Sequence, residues 1–167
     1  MTHRTWLVAH DLTECGQAAA DAALAEMLDV ASGGTILLLH VLTPAPLVTG
    51  PEEILPMDAM AVTDAATLEA ERALARTADV LARRAAGRVD ITMLVEVAAS
   101  PTDTILEVAR VHDVERIIVG THGRRGLTRL LLGSVAEVVA RKAEMPVLIV
   151  HAPAAYEYYE LTAPHTR

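Results

Sequence analysis

The stretch RIIVGTHGRRGLTRLLLGSVAEVV, residues 116–139, decides the fold of this chain. Arg116 to Val119 is a short apolar run of strand composition, Gly120 interrupts it, and from Ser134 onward a helical pattern begins. Strand, glycine-bearing loop and helix in that order form a βα unit, and in an open parallel sheet ligands bind beyond the carboxyl ends of the strands. Between the two elements lie Gly120-Thr121-His122-Gly123, nine further residues, and then Gly133-Ser134-Val135. Glycines let backbone N–H groups approach an anion with no Cβ in the way. A helix starting near Ser134 adds unpaired amides and a partial positive charge. The spacing predicts a phosphate cradle.

Working outward, the same alternation of short β-rich runs and longer helical segments recurs along the chain, which predicts an α/β fold with a parallel sheet. Five strands are expected, at Trp6–Ala9, Thr35–Leu42, Val89–Val97, Arg116–Val119 and Pro146–Val150. Ile36-Leu37-Leu38-Leu39 is apolar without alternation, as befits a strand covered by helices on both faces, whereas the partly alternating third strand reads as a less covered edge. Four helices are expected: Glu14 to Val30, closed by Gly33-Gly34; Asp58 to Ala86; Ser100 to about His112; and Ser134 to about Ala143. Ser100, Pro101 and Asp103 have the order of N-cap, first-turn proline and third-position acid. Prolines 44, 46, 51 and 56 with Gly50 predict a loop from Thr43 to about Met57, placed where it could close as a lid. Residues 1–151 read as one domain and Ala152 to Arg167 as a C-terminal tail with three tyrosines and no periodicity.

Composition narrows the function. A chain of 167 residues suits one domain that buries roughly 70% of its unfolded surface. With no Phe, one Trp and three Tyr, a bound base would meet aliphatic walls, and the stacking platforms of single-strand binders are missing. A net charge of −8 repels a polyphosphate backbone, so nucleic acid is not an expected partner. Cys15 is the sole cysteine and no apolar run is long enough to span a membrane, which together predict cytoplasmic residence.

The pattern Gly-x-x-Gly, nine residues, Gly-Ser resembles the ATP-binding signature of the universal stress protein family at every fixed position. The resemblance extends from about residue 5 to 151: Leu7-Val8-Ala9-His10-Asp11-Leu12-Thr13 is similar to that family's first strand and acidic turn, Leu38-Leu39-His40-Val41 to its second strand, and Ile117-Ile118-Val119-Gly120 to its fourth. The resemblance implies an open, Rossmann-like five-stranded parallel sheet in the order 3-2-1-4-5, with helices on both faces. It implies that Ala9 and Asp11 line a nucleotide, that Val41 meets adenine through backbone polar groups, and that Gly120, Gly123, Gly133, Ser134 and Val135 contact ribose and phosphates. ATP, with or without Mg²⁺, is the implied ligand, and a homodimer through strand five, Pro146 to Val150, the implied assembly. An uncharged hydrophobic sheet edge there favours pairing on physical grounds as well. Three departures stand out: Ala99 where relatives typically have glycine, Leu12-Thr13 in place of the commoner Gly-Ser, and the extended tail.

Each residue also has a plainer reading. Ser134-Val135-Ala136-Glu137 is a capping box as well as a phosphate contact, and Asp11 can stabilise the dipole of the first helix. Arg124, Arg125 and Arg129 are candidate phosphate contacts or simply solvated. His10, His40, His122 and His151 fall near strand ends, but no His-x-x-x-His or cysteine cluster supports a metal site. Cys15 reads as a small core residue. No catalytic residue is assigned, because Asp11 has no second acid beside it to serve as a general base. The expected function is an ATP-binding stress-response regulator with little or no turnover, acting on an unidentified partner. The competing readings are a slow Mg²⁺-dependent ATPase or phosphoryl-transfer enzyme and a nucleotide-free dimeric interaction module.

Overall fold

Successive side chains of a strand point to opposite faces, so an unbroken apolar strand requires cover on both sides. That requirement organises the computed structural model, which describes residues 4–30, 33–44, 56–122 and 133–152. Its elements in chain order are β1 (Thr5–Ala9), α1 (Glu14–Val30), β2 (Thr35–Leu42), α2 (Pro56–Ala85), β3 (Asp90–Val97), α3 (Pro101–Val111), β4 (Arg116–His122), α4 (Ser134–Lys142) and β5 (Val147–Ala152). The strands form one parallel sheet in the order β3-β2-β1-β4-β5. This is the expected fold.

Along β1 and β2 the residues divide cleanly. Trp6, Val8, Ile36 and Leu38 bury against Leu24 and Met27 of α1 and Leu74 and Leu81 of α2. Leu7, Leu37 and Leu39 bury on the other face with Ile105 and Val108 of α3 and Val139 of α4. Each such side chain contributes roughly 1.5–3 kcal/mol. The edge strand β3 leaves Met93 43% exposed, in keeping with its weaker pattern.

Several boundaries differ from expectation for identifiable reasons. Helix α2 begins at Pro56, inside the expected loop, because proline is tolerated in the first turn where its missing N–H has no partner to lose. The rest of that loop, from residue 45 to 55, lies outside the described residues. Strand β4 continues past Gly120 to His122, since β5 pairs with it in the register Gly120↔Val150, Thr121↔His151 and His122↔Ala152. Strand β5 therefore starts at Val147 and takes in Ala152, while Pro146, having no N–H, contributes only its carbonyl to Ile117 at 3.0 Å. Residues 153–167 lie outside the described residues.

Chain order and strand order together position the site. From β1 the chain winds outward to β2 and β3, then crosses back to β4 on the other flank of β1. The winding reverses between β1 and β4, and a crevice opens at their carboxyl ends.

Candidate functional site

At that crevice lies a cavity of about 610 Å³. Its lining comes from the tips of β1 (Ala9, with His10 and Asp11 beyond it), β2 (Leu39, His40, Val41) and β4 (Val119, Gly120, Thr121). The first turns of α3 (Pro101, Ile105) and α4 (Ser134, Val135, Ala136), with Gly133, complete it. Of the residues assigned from sequence, Ala9, Asp11, Val41, Gly120, Gly133, Ser134 and Val135 are brought together here. Gly123, Arg124 and Arg125 lie outside the described residues.

Asp11 works first as a structural acceptor. Its Oδ1 takes hydrogen bonds from the Thr13 amide (3.0 Å), the Thr13 hydroxyl (2.7 Å) and the Gly16 amide (3.0 Å), which ties down the start of α1. Burial pushes its carboxyl up, but the bonds from Thr13 and Gly16 outweigh that effect and hold it below the ordinary carboxylate value. Asp11 is thus an anion that orders a helix N-terminus, as its plainer reading anticipated, and its side chain also borders the cavity.

The neighbouring Leu12 has φ 61°, a left-handed conformation that costs a non-glycine residue roughly 1–2 kcal/mol. Leu12 offsets the strain by packing against the α1/α2 core and by donating its amide to His10 Nδ1 at 3.0 Å.

Two histidines brace the same turn. His40 Nδ1 donates to the His10 carbonyl at 2.8 Å, and the His10 amide donates to Leu39 O at 2.8 Å, so the tips of β1 and β2 stay fastened where the ladder ends. His10 is only 5% exposed, and its Nε2 has no hydrogen-bond partner among the described residues. Burial pushes its imidazole down, and this outweighs the opposing attraction of Asp11. Because Nδ1 accepts the Leu12 N–H, it carries no proton, and the single ring proton of His10 is on Nε2.

On the far wall, α4 supplies donors. The N-cap is Gly133, which makes no side-chain cap bond, and Ser134 is the first helical residue. This corrects the capping-box reading: the Ser134 hydroxyl is not spent on the helix, and Glu137 instead lies within 4.0 Å of Arg141. The first intrahelical bond runs from Glu137 N to Gly133 O at 2.9 Å, so the amides of Ser134, Val135 and Ala136 have no acceptor within the helix. By contrast the capping expected at α3 is present, with Ser100 Oγ accepting from Asp103 N at 3.4 Å and donating to Asp103 Oδ2 at 2.7 Å.

The two described glycines of the motif serve different ends. A Cβ on Gly120 would lie 2.0 Å from the Cys15 carbonyl oxygen, so this glycine allows α1 to approach β4 backbone to backbone. A Cβ on Gly133 would meet nothing nearer than Thr121 Oγ1 at 3.7 Å. Sequence reasoning missed Thr121, Pro101 and Ile105. The start of α3 was inferable from the rule that each crossover helix begins at the ligand-binding edge. Thr121 carried no signal beyond following Gly120.

Chemically, the site offers aliphatic lining (Leu39, Val41, Ile105, Val119) together with α4 amides that have no acceptor within the helix and the Asp11 carboxylate. That suits a ligand with an apolar flat part, a hydroxyl-bearing part and an anionic end.

A model described as the universal stress protein family matches residues 2–151. A universal stress protein of Thermus aquaticus is 29% identical over 147 residues, covering 88% of this chain and 98% of the relative. The universal stress protein MJ0577 of Methanocaldococcus jannaschii is 43% identical over 54 residues, a stretch that spans only 33% of that relative. In three dimensions the MJ0577 structure superposes with a TM-score of 0.71 at 24% identity, covering 93% of this chain and all of the other. The Archaeoglobus fulgidus universal stress protein in complex with dAMP has a TM-score of 0.59 at 21% identity, covering 90% of this chain and 99% of that one.

Proposed function

The chain belongs to the universal stress protein family, and on that premise we propose that its crevice binds an adenine nucleotide, ATP with or without Mg²⁺, as the ligand of a stress-response regulator with little or no turnover. The carrying observation is the cavity itself, in which Asp11, Val41, Gly133, Ser134 and Val135 share one space with the first amides of α4, which have no acceptor within that helix.

The residues fit the ligand. A volume of about 610 Å³ falls within the range of roughly 300–1,000 Å³ typical of small-molecule sites. In this reading the aliphatic lining takes the base and the Val41 backbone supplies its polar contacts. Asp11 accepts from ribose hydroxyls, and the α4 amides with the Ser134 hydroxyl hold the phosphates. Solved proteins of the same fold in complex with dAMP, with cAMP and with AMP support an adenine nucleotide as the class of ligand. Gly123, Arg124 and Arg125 would complete the phosphate subsite from the segment between β4 and α4. The protein would act in the cytoplasm as a homodimer paired along β5, an edge strand of the sheet.

Native mass spectrometry of the gently purified protein, followed by calorimetric titration with ATP, tests the proposal. Bound nucleotide or a saturable heat is the expected result. A protein that neither retains nor takes up ATP, ADP, AMP or cyclic nucleotides would overturn it.

A further inference from the structure

One buried hydroxyl joins the two ends of the glycine-rich segment. Thr121, near the end of β4, is 4% exposed, and its Oγ1 accepts the Gly133 N–H at 3.2 Å across twelve residues of chain. Gly133 has no side chain with which to cap α4, so this bond from the sheet ties down the residue from which the helix starts. Thr121 is held by its own ladder, opposite His151 of β5, and its β-branched side chain has few rotamers. The hydroxyl is consequently a rigid post. Thr121, Gly133, Ser134 and Val135 all line the cavity.

We infer that Thr121 is a positioning residue for the phosphates of the bound nucleotide. Its hydroxyl sets where the Ser134 and Val135 amides stand relative to the tip of β4, and so how much of the affinity comes from the phosphates and how much from the nucleoside. This rests on the reading of the cavity as an adenine-nucleotide site. Preorganisation is the physical basis: a helix N-terminus that is already placed does not have to be ordered when the anion arrives. After accepting from Gly133 the Thr121 hydroxyl keeps its own proton to donate, which an amide or a methyl at the same place could not do in the same geometry.

The test compares adenosine, AMP and ATP by calorimetry on the full chain and on Thr121→Val and Thr121→Ser. Loss of one such hydrogen bond is expected to weaken ATP roughly five- to tenfold while adenosine stays within about twofold, and Thr121→Ser is expected to recover most of the ATP affinity. Thr121→Ala, which asks for no extra space, serves as the second variant should the valine protein fail to fold. Equal losses for adenosine and ATP would mean a general structural role, and unchanged ATP binding would mean no role; either overturns the inference. If the unsubstituted protein binds none of the three ligands, the nucleotide site itself is wrong and the inference falls with it.

Discussion

Cys15 and Gly120 meet backbone to backbone: a Cβ added to Gly120 would stand 2.0 Å from the Cys15 carbonyl oxygen and 2.4 Å from its carbonyl carbon. The first turn of α1 is thereby seated directly on β4, at a residue that also lines the cavity. Neither backbone atom can rotate away as a side-chain tip could. Gly120→Ala is expected to destabilise the fold by about 3 kcal/mol, lowering Tm by roughly 10 °C, with any loss of binding following from the fold. Thermal unfolding followed by circular dichroism measures this, and an unchanged Tm would contradict the close seating of α1.

Gly133 should behave in the opposite way. Its φ of −57° suits any residue, and a Cβ there meets only Thr121 Oγ1 at 3.7 Å. Gly133→Val is expected to cost only about 1 kcal/mol, the usual loss when a favourable N-cap residue such as glycine gives way to a poor one such as valine. Its branched side chain would crowd the approach to the α4 amides, so ATP affinity is expected to fall more than about tenfold. Paired denaturation and titration experiments separate the two effects; a valine protein that binds as well as the original would remove Gly133 from the phosphate subsite.

Asp11 has two separable contributions, and isosteric substitution divides them. Asp11→Ala deletes the acceptor for the Thr13 and Gly16 amides and is expected to cost about 1 kcal/mol, as loss of a helix cap does. Asp11→Asn keeps an oxygen in the same place and should restore most of that stability in urea titrations. Any ATP affinity that remains lost in Asp11→Asn would then report on the carboxylate's contact with ligand, not on the helix.

His10 makes stability pH-dependent with a definite sign. Burial lowers its pKa from the ordinary value of 6.5, so the unfolded chain binds a proton more readily than the folded one. The contribution of neutral His10 is complete above about pH 6.5 and declines as the pH falls from there toward the lowered folded-state value. Unfolding free energy measured in urea between pH 7.5 and pH 5 should therefore drop, and His10→Asn should flatten that slope even if it lowers stability throughout. A slope identical in the two proteins would show that His10 carries no linkage. Asp11, whose pKa is also lowered, acts only below its ordinary value of 3.8 and does not enter this window.

The homodimer expected along β5 is testable at Ile149, a half-buried position on an edge strand. Ile149→Lys places a charge on that edge and is expected to shift the protein toward monomer in sedimentation equilibrium, while circular dichroism reports a retained fold. A monomer before substitution would exclude the interface.

How much of this was legible beforehand depended on the range of the interaction involved. The boundaries of α1 and β2 were readable because local periodicity and glycine punctuation set them. The end of β4 was not, because Gly120 looks like a strand terminator until β5 is present to pair with it through Ala152. The capping box at Ser134 was a sound local inference that the observed backbone does not use, since Gly133 adopts the cap position and its amide is taken by Thr121.

The linear order of residues by itself determined the alternation of strands and helices, the division of β1 and β2 side chains between two faces, and the glycine spacing on which the expectation of a phosphate cradle rests. These follow from backbone periodicity and from which residues lack a Cβ. Only the tertiary structure decided that Gly120 exists for Cys15, that Thr121 fastens Gly133, and that His10 is a neutral, buried brace between two strand tips. Each is a contact between segments whose proximity is created by the winding of the sheet, and no local pattern encodes which atoms that winding will bring together.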